Sequence, residues 1–333
     1  MIDRRDLIGT ALGAGLLAAT AATAEGWGDP PTPAIGDPDA PAWPPAEHFA
    51  IWPKAPPGAR DRLPERDWTL NGPKGARELW IRGVPTPELH VFRPARPDGS
   101  ALLVLPGGGY EFLSVQNEGI NIAQRFSAAG TTLFVLTYRL PAEGWDNAQV
   151  VPLQDAQRAM RLIRSRELDF RIDPARLGIV GFSAGGHLAA SLATAFAEPV
   201  YAPVDAADAL CARPAFAGLI YPVTSLEPRI GHAGSRNNLL GSSPTPQRIA
   251  SRSPLLHVGP GTPPCFLVHA VDDDTVPVAN SLEWIQACRK AEVKVEAHIF
   301  ETGGHGFGLH LPADLPGSMW PLLFAMWMKK HGG

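Results

Sequence analysis

The chain has 333 residues, of which 45% are hydrophobic and 19% charged, below the roughly 25% charged residues of an average globular chain. A net charge of -4 excludes binding driven by bulk positive charge, so neither nucleic acid nor an anionic membrane is an expected partner. The length is compatible with one large α/β domain or with two smaller ones, and 35 prolines and 34 glycines fit long ordered loops around a compact sheet.

Residues 1–24 read as an export signal. Arg4-Arg5 precedes a small apolar run from Leu7 to Ala22, and Ala22-Thr23-Ala24 supplies a small-x-small cleavage site. The arginine pair resembles a twin-arginine signal; an ordinary secretory signal or an uncleaved anchor is the alternative. The run falls short of the roughly 20 apolar residues of a membrane span. The mature chain is therefore expected to begin near Glu25, to work in the periplasm or outside the cell, and to carry no membrane segment.

Residues 25–70 form a proline-rich N-terminal extension, with Pro-Pro pairs at 30–31, 44–45 and 56–57. Such a stretch makes neither regular helix nor central strand. It reads as an extended leader lying along the domain, or as a disordered tether; Trp27, Trp43, Phe49 and Trp52 favour docking. Three cysteines, Cys211, Cys265 and Cys288, cannot all pair, and they are expected as buried small hydrophobes.

Strands and helices alternate through residues 71–333. Glu78–Ile81 and Leu89–Phe92 read as a short antiparallel pair. The apolar run 101–105 predicts a buried strand, 120–129 a helix stopped by Gly130, and 131–138 a strand. Residues 151–166 have an amphipathic helical pattern. A strand at 177–180 leads into a helix at 183–196. Strands follow at 216–221, 265–270 and 293–300, with helices at 278–290 and 320–330. This alternation predicts a mostly parallel central sheet with helices on both faces and no large cap domain. Residues 222–264 make a long excursion of the kind that is usually functional.

Four features carry chemistry. Gly181-Phe182-Ser183-Ala184-Gly185 follows a strand and opens a helix, the context of a nucleophile elbow with Ser183 as nucleophile. Pro106-Gly107-Gly108-Gly109-Tyr110 follows the 101–105 strand. Backbone N–H groups of Gly108 or Gly109, with that of Ala184, suit an oxyanion hole; the loop lacks the spacing and lysine of a phosphate loop. Asp272-Asp273-Asp274 ends the 265–270 strand and offers three candidate triad acids, with helix capping or cation binding as the alternative. His305, flanked by glycines after the last strand, is the histidine best placed to reach Ser183. His187, His269 and His298 lie within regular elements and are expected in satisfied core or surface roles. The order nucleophile, acid, histidine is that of the α/β-hydrolases, and all four features sit at strand C-termini, where such sheets bind ligands.

From about Trp52 onward the chain resembles the bacterial acetyl-esterase branch of the α/β-hydrolases, a group with xylan and pectin acetylesterase-like and arylformamidase-like members. The resemblance rests on PGGGYEFLS (106–114), YRLP (138–141), PLQDAQRAMRLIRSR (152–166), GIVGFSAGGHLAA (178–190), YPVTS (221–225), SRNNLLG (235–241), HAVDDDTVPVANS (269–281) and GGHGFGL (303–309). It implies an α/β-hydrolase fold and a triad of Ser183, Asp273 and His305, the acid being the aspartate four residues after the strand-end histidine. It also implies a serine esterase for short acyl groups, with acetylated polysaccharide or oligosaccharide as expected substrate and no metal or organic cofactor. A general carboxylesterase or lipase-like enzyme, or a secreted carbohydrate-binding pseudoenzyme, are the rivals. Asp155 and Arg158 are expected in a structural ion pair or cap. Tyr110, Trp145 and Arg236 are candidates for the substrate pocket; Arg236, with Asn237 and Asn238, could equally brace the long excursion.

Overall fold

The computed structural model describes residues 32–72 and 76–331. The export signal read at 1–24, and the start of the mature chain, lie outside the described residues.

Twelve strands are described, in two sheets. The small antiparallel sheet is β1 (Thr32–Pro33), β3 (Asp67–Asn71), β4 (Glu78–Arg82) and β7 (Leu113–Ser114), in that order. The large sheet contains β2 (His48–Ala50), β5 (Glu88–Phe92), β6 (Ala101–Leu105), β8 (Thr132–Thr137), β9 (Leu177–Phe182), β10 (Ala217–Ile220), β11 (Cys265–Ala270) and β12 (Val295–Phe300). Its spatial order is β12-β11-β10-β9-β6-β8-β5-β2, and β5 alone runs against its neighbours. The helices are α1 (Asn121–Ser127), α2 (Val151–Ser165), α3 (Glu167–Phe170), α4 (Ser183–Ala195), α5 (Ala233–Leu240), α6 (Pro246–Ser251), α7 (Ala279–Lys290) and α8 (Trp320–His331).

The large sheet is buried on both faces, which is why β6 and β9 are apolar throughout. Alternate residues of β6 go to opposite cores. Leu103 and Leu105 join the cluster under α2, α4 and α7, whereas Leu102 and Val104 join the one under α1 and α8. The parallel register sets Leu105 opposite Gly181 and Ile220 opposite Phe182, so successive strands end at one edge of the sheet.

Three sequence expectations are corrected here. Residues 78–82 and 88–92 do not pair; β4 belongs to the small sheet and β5 to the large one. β4 pairs with β3 just before it and, on its other side, with β7, whereas β5 pairs with β2 and β8, so the hairpin lies one strand earlier than the spacing suggested. Within the proline-rich extension, His48–Ala50 is an edge strand of the large sheet, the position where a nearby proline is tolerated, and the boundary set at 70/71 falls inside β3. Cys211 is exposed, while Cys265 and Cys288 are buried, and all three thiols are free.

Trp52 fixes the extension to the body. It is 5% exposed, and its indole Nε1 donates to Asp155 Oδ1 at 2.8 Å. The same carboxylate receives Arg139 through the backbone N–H (2.9 Å), Nε (2.9 Å) and Nη2 (2.7 Å), with both side chains fully buried. Arg158 pairs instead with Asp205 and Asp208. Asp155 and Arg158 are thus structural, each with a different partner. Asp155→Ala leaves a buried guanidinium without its counter-charge. Urea unfolding is expected to show a loss of about 3–5 kcal/mol, much of it recovered when Arg139→Met is added.

Candidate active site

The elbow is built by close approach. Ser183 has φ +52°, a left-handed conformation that costs a non-glycine residue on the order of 1–3 kcal/mol. It is held because β9 and α4 converge on it. A Cβ on Gly185 would lie 2.1 Å from the Leu105 carbonyl oxygen, and one on Gly181 would lie 2.2 Å from the Gly185 carbonyl oxygen. Only glycine allows the helix to seat this close to β6.

The seryl hydroxyl lies 2.8 Å from His305 Nε2, across 122 residues of chain. His305 Nδ1 lies 2.7 Å from Asp273 Oδ2. Of the three adjacent aspartates, Asp273 alone reaches the imidazole. Asp272 Oδ1 accepts the Gly304 N–H at 2.8 Å and so holds the histidine loop, while Asp274 is exposed beside Thr275. Asp273 Oδ1 accepts backbone N–H groups of Thr275 (3.0 Å) and Val276 (2.8 Å). Burial opposes its charge, but hydrogen bonds from His269 and His305, the His305 charge and the Val276 amide together hold the carboxyl well below the usual carboxylate range.

His269 is buried at the end of β11 and its Nε2 lies 3.1 Å from Asp273 Oδ2 and 2.9 Å from the Val276 carbonyl. A carbonyl only accepts, so Nε2 carries the proton and Nδ1 accepts from Ser281 Oγ at 2.8 Å. The satisfied core role expected of His269 thus includes a second donor to the carboxylate that orients His305, a part that local sequence did not signal.

The Gly107–Gly109 loop lies beside the serine. The Gly107 N–H donates to Glu118 Oε2 at 2.7 Å and is committed there. The N–H groups of Gly108 and Gly109 are taken by no described group, and the Ala184 N–H belongs to the first turn of α4, where no helical acceptor exists. The three donors named from the sequence therefore stand available on either side of Ser183.

Glu118 was missed by sequence reasoning. It lies in a short π-type turn (Gln116–Ile120), fully buried, and accepts the Tyr221 hydroxyl on Oε1 at 2.8 Å. The Gly308 N–H in turn donates to Tyr221 Oη at 3.1 Å. The glycine loop and the histidine loop are thereby tied through one carboxyl and one phenol. Asn117 Nδ2 to the Gly306 carbonyl (2.8 Å) and Trp320 Nε1 to the Gly308 carbonyl (2.8 Å) complete the frame. Burial raises the Glu118 carboxyl against the opposing bonds from Tyr221 and Gly107.

Burial, together with the charge of Glu118, also pushes Glu78 up to about 7. A carboxyl raised in the folded state contributes stability that is complete below its unfolded value near 4.5 and is lost as pH rises through about 7. Glu78→Gln removes this dependence. In urea titrations the variant is expected to gain on the parent by about 2 kcal/mol between pH 5.5 and pH 8.5; an equal response in both proteins would contradict it.

The pocket candidates separate. Tyr110 is buried and its hydroxyl donates to His187 Nδ1 at 2.8 Å; His187 Nε2 is committed to the Arg252 carbonyl at 2.8 Å. Tyr110 and His187 face a cavity of about 310 Å³ behind α4, whose lining does not include Ser183. Trp145 is 4% exposed and packs under the Arg139 guanidinium, 4.9 Å from its ring centroid. It is a core residue, so the expectation that it lines the substrate pocket is corrected. Arg236 is half-buried on α5. Asn238, two residues on, braces the glycine loop, donating from Nδ2 to the Gly109 carbonyl at 2.9 Å. Among the described residues no group of three or more His, Cys, Asp or Glu side chains is arranged to hold a metal ion, and no helix is long and apolar enough to cross a membrane.

The sheet order, the elbow and the converging loops define an α/β-hydrolase. The BD-FAE family profile matches residues 89–287, and the chain belongs to that family. It is 33% identical over 248 residues to an acetylxylan esterase of Xylanibacter ruminicola, covering 73% of this chain and 45% of that protein. It is 36% identical over 210 residues to endo-1,4-beta-xylanase B of Butyrivibrio fibrisolvens, covering 62% and 32% respectively. The chain thus spans less than half the length of these two curated relatives. Among solved structures, an acetyl ester-xyloside bifunctional hydrolase from Caldicellulosiruptor lactoaceticus matches with a TM-score of 0.69 and 32% identity, covering 86% of this chain and 96% of that one.

Proposed function

We propose that this chain is an exported serine acetylesterase that removes acetyl groups from plant-type polysaccharides or their oligomers through an acyl-enzyme on Ser183. The observation that carries the reading is the unbroken hydrogen-bond line from Ser183 Oγ through His305 to Asp273, at 2.8 and 2.7 Å. The acetylxylan esterase and acetyl ester-xyloside hydrolase relatives support the choice of acyl group and substrate.

His305 Nε2 takes the Ser183 proton as Oγ attacks the acetyl carbonyl. Asp273 fixes the tautomer that leaves Nε2 free to accept, and stabilises the imidazolium. The N–H groups of Ala184 and of Gly108 or Gly109 hold the tetrahedral oxyanion. The imidazolium then protonates the departing sugar hydroxyl, and a water deprotonated by the same nitrogen releases acetate. The steps use protein groups and water alone. Export rests on Arg4-Arg5 and the apolar run behind them, and Arg4→Lys with Arg5→Lys is expected to retain the protein in the cytoplasm if the signal is of twin-arginine type.

The test is acetate release from acetylated xylan and acetylated pectin, measured beside 4-nitrophenyl esters of two to eight acyl carbons. Acetate release from a polysaccharide, with a preference for the two-carbon aryl ester, is expected. Hydrolysis of aryl esters alone would refute the carbohydrate assignment.

A further inference from the structure

His232 opens α5 in the long excursion, and its ring nitrogens have unequal employment. Nδ1 receives the Ser235 backbone N–H at 3.2 Å and lies 2.9 Å from Ser235 Oγ. Since a backbone N–H only donates, Nδ1 is the acceptor and the neutral ring carries its proton on Nε2. No described group accepts that proton. Burial lowers the basicity of the imidazole, which favours this neutral, donor-bearing form.

The ring lies in a slot between two glycines. A Cβ on Gly109 would come 3.7 Å from His232 Cε1, and a Cβ on Gly234 would come 2.9 Å from Cε1 and 3.3 Å from Nε2. Gly109 belongs to the glycine loop beside Ser183, and Asn238, on the helix that His232 caps, holds the Gly109 carbonyl. The half-buried position of the imidazole leaves it open to a ligand.

From this arrangement we infer that His232 is a specificity-determining residue, whose Nε2–H donates a hydrogen bond to an oxygen of the alcohol portion of the substrate, a sugar hydroxyl, ring or glycosidic oxygen beside the scissile ester. This rests on the esterase reading given above. A polar donor held at the rim of an acyl-transfer site discriminates strongly between an alcohol that satisfies it and one that does not. The 4-nitrophenyl leaving group has no oxygen beside the scissile ester, its nitro oxygens lying across the ring; a xylan residue presents several there.

The experiment compares kcat and KM for acetylated xylo-oligosaccharides and for 4-nitrophenyl acetate in the parent, His232→Ala, His232→Gln and Gly234→Ala. Wild-type rates test the esterase reading; ratios between variants and parent test this inference. In His232→Ala the ratio of kcat/KM for the oligosaccharide to that for the aryl ester is expected to fall about 10-fold, the scale of one neutral hydrogen bond, through a raised KM. His232→Gln, which keeps a donor near Nε2, is expected to recover part of it. Gly234→Ala, which retains the imidazole but displaces it, is expected to lower the ratio in the same direction. A parallel loss on both substrates, an unchanged ratio, or a parent that cleaves aryl acetate but no sugar ester would each overturn the inference.

Discussion

Ser183→Ala is expected to lower kcat for 4-nitrophenyl acetate by about 10⁵-fold, with KM nearly unchanged and the urea midpoint close to that of the parent. The substitution removes one oxygen, whose described partner is His305 Nε2. The elbow survives because it is set by the glycines packed against Leu105, not by the hydroxyl. Residues acting as one unit are not additive in their loss. Ser183→Ala with His305→Ala is therefore expected to be no worse than either alone, the residue of activity belonging to the N–H groups of Ala184 and the glycine loop. Independent, multiplying losses would mean that the two side chains do not act on the same proton.

Asp273→Asn is expected to lower kcat on the order of 10³–10⁴-fold, and the geometry gives the reason. Oδ1 of Asp273 accepts two backbone N–H groups, from Thr275 and Val276. In the asparagine the carbonyl oxygen must keep that place, so the amide nitrogen occupies the position of Oδ2, facing His305 Nδ1 and His269 Nε2. Its N–H groups force His305 Nδ1 to accept, which puts the imidazole proton on Nε2, where the Ser183 proton has to go. Two donors also meet at His269 Nε2, which the Val276 carbonyl holds protonated. The loss is expected in kcat, not KM, and the urea midpoint is expected to fall as well, because His269 and the amides of Thr275 and Val276 lose a buried charged acceptor. A variant with half the parent activity would remove Asp273 from the proposed mechanism.

The site was legible where chemistry demands short local patterns. Ser183, with glycines two residues to either side, the triple glycine at 107–109 and His305 between glycines are all visible because close backbone approach leaves a glycine signature. The parallel strands were legible as apolar runs, since burial on both faces removes polar residues. Three things were not. Residues 78–82 pair with the strand before them, inside the proline-rich extension where no strand was read, and residues 88–92 pair with strands about 40 residues away on either side. Strand β2 hides in a proline-rich stretch, because an edge strand needs only one bonded side. Glu118 and Tyr221 join the candidate site through burial and through bonds to residues brought close only by folding, and no spacing in the chain distinguishes them from surface polar residues. Trp145 shows the converse. An aromatic near the loops looked available for substrate, but the buried Arg139–Asp155 pair needs its face covered, and Trp145 covers it.

The central claim, that the hydroxyl of residue 183 is the nucleophile, is tested most directly by a fluorophosphonate that phosphonylates activated serines. After reaction of the intact protein, peptide mass spectrometry should place a single adduct on Ser183, with esterase activity lost in step with labelling and no adduct on Ser183→Ala. An adduct on another serine, or full activity in protein labelled at 183, would contradict it.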